Sequence, residues 1–199
     1  MLNIYLLRHG QTAWNADGNR YCGRTDLPLT KLGIEQAQRV FEQLRDHVFA
    51  AVYSSPLQRA FTTAQIASGG KEVITDRRLI EADFGNWESK SKEQFIKEDE
   101  ELWNSWLADP AVTRAGRTGE TAGEVIERVD DFFSSLISHH KTGNILVVAH
   151  NGVNRFYLAH KLGMPIRNYR KLVQENSTVS MFELDAHGEL SLVHLNSRM

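Results

Sequence analysis

A chain of 199 residues with 41% hydrophobic content can bury a sizeable core, and its length fits a single domain over 1–199. The 23 Lys and Arg against 25 Asp and Glu leave a net charge of -2, which excludes the global basic field of a nucleic-acid binder; partners must be recognised locally. One cysteine, Cys22, forms no internal disulfide, and neither a signal-peptide pattern nor a run of about 18 apolar residues occurs, so a cytoplasmic protein with no membrane partner is expected.

Residues 2–7 are almost all apolar or β-prone and read as a buried strand of a parallel sheet, yet the run stops abruptly at Arg8-His9-Gly10. Ile34, Ala37, Val40, Phe41 and Leu44 then recur at helical spacing behind a Thr30 cap, predicting a helix with one face on the sheet. A strand over 50–54 leads into SSPLQRA, where Ser55 is the expected cap and Pro56 the first helical residue, with Arg59 in the first turn. A short strand over 72–75 precedes RRLIEADFGNWE, which carries Glu81.

Residues 85–118 differ in character. Trp87, Trp103 and Trp106 sit among many charges, Ser91 and Gln94 have capping-box spacing, and the stretch ends in AGRTGE. A lid-like insertion closing on a flexible loop is expected. Thr121 and Glu124 form a second capping box, ahead of an apolar stripe running from Val125 to Ile137. Strands over 145–149, 179–184 and 190–195 complete the pattern, with His150-Asn151-Gly152 after the first of them. Alternating strands and helices predict an α/β fold, a three-layer α/β/α sandwich around a mostly parallel sheet.

Open parallel sheets bind ligands at the carboxyl ends of their strands. That rule gathers Arg8, His9, Arg59 and His150, with Glu81 within reach. Two guanidiniums and helix amino ends make a dianion site, a neutral imidazole inside it is a nucleophile, and a carboxylic acid opposite can protonate a leaving oxygen. Hydrolysis of a phosphate monoester requires rate enhancements of up to ~10²¹, so several groups must act on one phosphoryl group. The chain has no HExxH, no CxxC pair and no Asp-rich loop, so metal-independent chemistry without a cofactor is expected.

LLRHGQTAWN, GRTDLPLTKLG, YSSPLQRAFTTA, IEADFGNWE and VVAHNGVNR together resemble, in order and spacing, the histidine phosphatase superfamily in its phosphoglycerate mutase-like branch. The resemblance covers roughly residues 2–155 and implies that His9 accepts the phosphate as a phosphohistidine, that Arg8, Arg59 and His150 bind phosphoryl oxygens, and that Glu81 is the proton donor. It also places Asn15, Cys22, Gly23, Asn151 and Gly152 on the substrate side and suggests a homodimer. For Glu81 the residues leave Asp83 or Glu88 as alternatives, and for Cys22 an inert thiol. His47, His139, His140, His160, His187 and His194 lack a matching context.

Two features depart from the mutases of this branch. Their ERxYG pattern is replaced by Glu81-Ala82-Asp83-Phe84-Gly85, and Arg114 and Arg117 are not the adjacent pair that those enzymes offer a substrate carboxylate. ExxFGxWE instead looks like the stretch in broad phosphatases and α-ribazole phosphatases of the family, which favours hydrolysis of a small phosphomonoester. A third departure is Asn151 directly after His150, where many members have Gly; Asn tolerates a left-handed turn there. The alternatives are a 2,3-bisphosphoglycerate-dependent phosphoglycerate mutase, an α-ribazole phosphatase, and a non-catalytic phospholigand-binding module.

Overall fold

The computed structural model describes residues 1–197. Its six strands are β1 (Leu2–Arg8), β2 (Phe49–Ser54), β3 (Ile74–Thr75), β4 (Gly143–Ala149), β5 (Val179–Leu184) and β6 (Leu190–Ser197), arranged in the order β3-β2-β4-β1-β5-β6. β1, β2, β3 and β4 pair in parallel, whereas β5 is antiparallel to both β1 and β6. The mostly parallel sheet is therefore as expected, with β5 alone reversed.

Alternation along β1 supplies both faces of the sheet. Leu2, Ile4 and Leu6 face one core with Ile145, Val147 and Ala149, and Leu7 faces the other with Leu146 and Val148. After the single turn α1 (Ala13–Ala16), helices α2 (Lys31–Leu44) and α3 (Gln58–Ala67) cover the second face; α6 (Ala122–His139) and α7 (Asn151–Lys161) cover the first. The result is three layers. No helix among the described residues is long and apolar enough to cross a membrane.

Adjacent strands β1 and β4 send their chains to opposite faces, β1 onward to α2 and β4 onward to α7. This is a topological switch point, where diverging connections leave a crevice at the strand ends. Arg8 pairs in register with Ala149, so the residues that follow, His9 and His150, emerge side by side.

Local signals in the sequence were met unevenly. Thr30 caps α2 as expected, yet Ile34 stands 39% exposed while Gly33 takes the buried position. The Ser55 cap is corrected: α3 begins at Gln58 behind Leu57, and Ser55 instead accepts a hydrogen bond from the Leu57 N–H (3.3 Å). Both capping boxes form, at Ser91 before α4 (Lys92–Glu98) and at Thr121 before α6.

The segment 85–118 is held by aromatic packing. Trp87, Phe95, Trp103 and Trp106 are all buried, the last two on α5 (Glu100–Ala108), and their cluster is continuous with the core under α6 and α7. Nor is AGRTGE loosely arranged. Gly116 has φ +51°, and a Cβ there would lie 2.3 Å from the Phe84 carbonyl oxygen and 2.5 Å from the Asn86 nitrogen, so only glycine permits this backbone approach.

Candidate active site

His9 follows the last residue of β1 and is 4% exposed. Its Nδ1 lies 2.7 Å from the Gly10 carbonyl oxygen. A carbonyl only accepts, so Nδ1 carries the proton and Nε2 is left with its lone pair. Burial first, then the charges of Arg59 and Arg8, hold the His9 pKa well below its ordinary 6.5, so the imidazole is neutral.

His150 follows the last residue of β4 in extended backbone and is fully buried, its ring centroid 5.1 Å from that of His9. Its Nε2 lies 2.8 Å from Ser55 Oγ and its Nδ1 has no partner. Burial and the Arg59 charge likewise push its pKa down. No left-handed turn is needed after it: Asn151 is simply the first residue of α7.

Arg59, fully buried in the first turn of α3, donates to the carbonyl oxygens of Thr25 (2.8 Å), Gly23 (2.8 Å) and Cys22 (3.3 Å), while its Nε is unpaired. The segment carrying those carbonyls is fixed from its other side by Glu88, which accepts from the Gly23 and Thr25 N–H groups. Arg8 donates to the Gln174 carbonyl (2.8 Å) and also keeps an unpaired buried Nε.

Glu81 is 3% exposed and sits at the amino end of α7. Its oxygens accept from the N–H groups of Ala82 (2.9 Å), Gly152 (3.0 Å) and Val153 (3.1 Å). Gly152 is required for this approach, because a Cβ there would lie 2.7 Å from the Glu81 carboxylate. Of the alternatives, Asp83 accepts from Gly85 N–H and Glu88 holds the 22–25 segment, and only Glu81 among the three lines the cleft.

The cleft itself measures about 280 Å³. Arg8, His9, Asn15, Cys22, Glu81, Asn151 and Gly152 line it, whereas Arg59, His150 and Gly23 lie outside its lining. The Cys22 thiol is pushed up to about 11, chiefly by burial, which keeps it protonated.

Several lining residues were not singled out from the sequence: Tyr21, Lys92, Arg155, Tyr169 and Arg170. Arg155 had a signal, since it stands four residues after Asn151 and so on the same helical face. Arg170 had none, because the short 3₁₀ turn Ile166–Lys171 that carries it has no periodic pattern.

Two neutral buried histidines make stability depend on pH. Their folded pKa values are depressed below 6.5, so under acid the unfolded chain binds more protons and stability falls as pH drops through about 6.5. Two protons give a limiting slope of roughly 2.7 kcal/mol per pH unit, ahead of carboxylate titration. Urea unfolding at pH 7.5 and 5.5 checks this; equal stability at both would overturn the protonation states assigned to His9 and His150.

The family model of the histidine phosphatase superfamily (branch 1) matches residues 4–198 of this chain. The adenosylcobalamin/alpha-ribazole phosphatase of Escherichia coli (strain K12) is 34% identical, over 82% of this chain and 81% of its own. Phosphoglycerate mutase-like protein 4 of Arabidopsis thaliana is 33% identical over 91% of this chain and 79% of its own. Among solved structures, the phosphoserine phosphatase of Entamoeba histolytica in complex with 3-phosphoglyceric acid superposes with a TM-score of 0.90 at 30% identity, covering 100% of this chain and 98% of that one.

Proposed function

The chain belongs to the histidine phosphatase superfamily (branch 1) and is a phosphatase of that family; on this premise we propose that it hydrolyses a small cytosolic phosphomonoester through a phosphohistidine on His9, without a metal ion. The observation that carries the reading is the neutral His9 with its Nε2 lone pair free, in the same cleft as the Glu81 carboxyl.

In the first step His9 Nε2 attacks phosphorus as the P–O bond to the alcohol breaks, and Glu81 in its protonated form gives the departing oxygen its proton. In the second, the Glu81 carboxylate takes a proton from water as that water attacks the phosphohistidine, releasing inorganic phosphate and restoring neutral His9. Arg8 and His150 donate to the phosphoryl oxygens, and Arg59 adds a fixed positive charge at their side. Unpaired nitrogens on all three, in buried positions, suit an anion that completes their hydrogen bonding.

Hydrolysis is favoured over mutase transfer by the positions of two arginines. Arg114 is engaged by Glu124 and the Gly119 carbonyl, Arg117 by Asp99, and neither lines the cleft. The test is phosphate release from a panel of small phosphomonoesters with chelator present, beside an assay of phosphoglycerate interconversion. Chelator-sensitive release, or interconversion outpacing release, would overturn the proposal.

Glu81→Gln removes the proton and leaves the carboxyl shape. Turnover of alkyl phosphates is expected to fall by roughly 10²-fold or more, and that of p-nitrophenyl phosphate far less, because a good leaving group departs unprotonated. Equal losses on both, read from kcat/KM, would reassign Glu81 to positioning.

A further inference from the structure

Beside the phosphoryl machinery, and near enough for its charge to act on Arg8, the cleft carries Arg155, and with it Arg170; neither has a part in the steps above. Arg155 reaches the cleft from α7, one turn beyond the Asn151-Gly152 step, and Arg170 reaches it from the 3₁₀ turn that follows. Arg155 takes part in no side-chain hydrogen bond or ion pair among the described residues, and its Nε is buried and unpaired. Arg170 donates to the Tyr21 hydroxyl (2.5 Å), its guanidinium lies 4.6 Å over the Trp103 ring, and its Nε too is buried without a partner.

Among the described residues no carboxylate forms an ion pair with either arginine, although the Glu81 charge reaches Arg155. The acids lining the cleft are Glu81 and Glu93; the first is taken up by three backbone N–H groups, and the second is exposed in the first turn of α4. The Tyr21 phenol, pushed up to about 12 mainly by burial, supplies no negative charge either. Two guanidiniums that repel each other in a partly buried site are costly unless an anion joins them. Stacking on Trp103 and the bond to Tyr21 hold the Arg170 fork in place in advance, so little ordering is lost when that anion arrives.

We propose that Arg155 and Arg170 form a second anion subsite, so that the substrate is a phosphomonoester whose alcohol carries a further acidic group, a carboxylate or second phosphate. Resting on the phosphatase reading above, this gives the leaving alcohol its chemical class. Arg114 and Arg117 are spent on Glu124 and Asp99, and the acid-binding charge enters from α7 and the turn after it instead. A cleft of about 280 Å³ suits such a metabolite.

The test compares 3-phosphoglycerate with glycerol 3-phosphate, which differ by a carboxylate, and adds 1,3-propanediol bisphosphate as the second-phosphate arm. The wild-type protein is expected to favour one acidic ester over glycerol 3-phosphate by at least about tenfold in kcat/KM, and which one wins identifies the anion. Arg155→Gln should shrink that preference by about tenfold, as should Arg170→Gln, with Arg155→Lys restoring part of it. No preference in the wild type, or a preference unmoved by both Gln variants, overturns the subsite. Calorimetric affinities of the same esters for the His9→Ala protein report the subsite without turnover, so absent hydrolysis sinks the phosphatase reading alone.

Discussion

His9→Ala is expected to lower kcat by about 10⁴- to 10⁶-fold, the loss typical of removing a covalent nucleophile from a preorganised site. The fold should survive, because among the described residues the imidazole makes a single side-chain hydrogen bond, to the carbonyl of the next residue. Deleting it also removes a buried group whose neutral state costs stability in acid. Two readouts decide the matter together: an unfolding midpoint at pH 7.5 within a few degrees of wild type, and loss of the acid-labile phosphate that rapid quenching should trap on the wild-type protein. A folded His9→Ala protein with undiminished activity would refute the nucleophile assignment outright.

Arg59→Met should lose about 10³-fold in kcat, as expected for removing one preorganised charge from around a developing phosphoryl dianion. It should also move the acid limb of the pH–rate profile upward. Arg59 is the largest charge holding His9 below its ordinary pKa, so without it the imidazole protonates at a higher pH and turnover fails sooner on acidification. Stability has two opposed contributions. Three carbonyl oxygens, of Thr25, Gly23 and Cys22, lose donors at about 1 to 3 kcal/mol each, while relief of a buried charge with no acidic partner among the described residues returns several kcal/mol. The unfolding midpoint should therefore move little for so buried a residue. An unshifted acid limb, in a variant that is otherwise inactivated, would show that Arg59 acts by holding the 22–25 segment and leaves His9 unaffected.

These two residues also show how differently the parts of the site announce themselves in a linear chain. His9 is legible because chain order and sheet position coincide: an apolar run predicts a strand, and a polar triplet at its end predicts a strand-end site. The same logic finds His150, which ends a second apolar run. Parallel pairing of those runs in register, Arg8 with Ala149, then sets the two imidazoles side by side. Arg59 is legible as a motif residue, but its environment is not. Its three acceptors lie 34 to 37 residues away in a segment that is itself braced by Glu88, and no local periodicity reports such a chain of supports.

Misreadings fell where local rules compete. Ser55-Pro56 has the form of a helix start, yet Ser55 is drawn to the Leu57 N–H and to His150, and the helix waits until Gln58. Ile34 fits the apolar spacing of α2 and is exposed all the same, because Gly33 presses on the backbone of Gln11 and takes the inner position. AGRTGE has the composition of a mobile loop, whereas its glycines serve close backbone packing.

Local pattern by itself determined the alternation of strands and helices, the capped starts of α2, α4 and α6, and the cluster of polar residues at the strand ends, since period, capping and turn chemistry act over a few residues. Only the tertiary structure decided that the tryptophans of 85–118 join the main core, that Glu81 and neither Asp83 nor Glu88 is brought to the cleft, and that Arg155 and Arg170 face it without an ion-pair partner among the described residues. Those outcomes depend on burial and charge among segments far apart in the chain, and such energies exist only once the layers have packed.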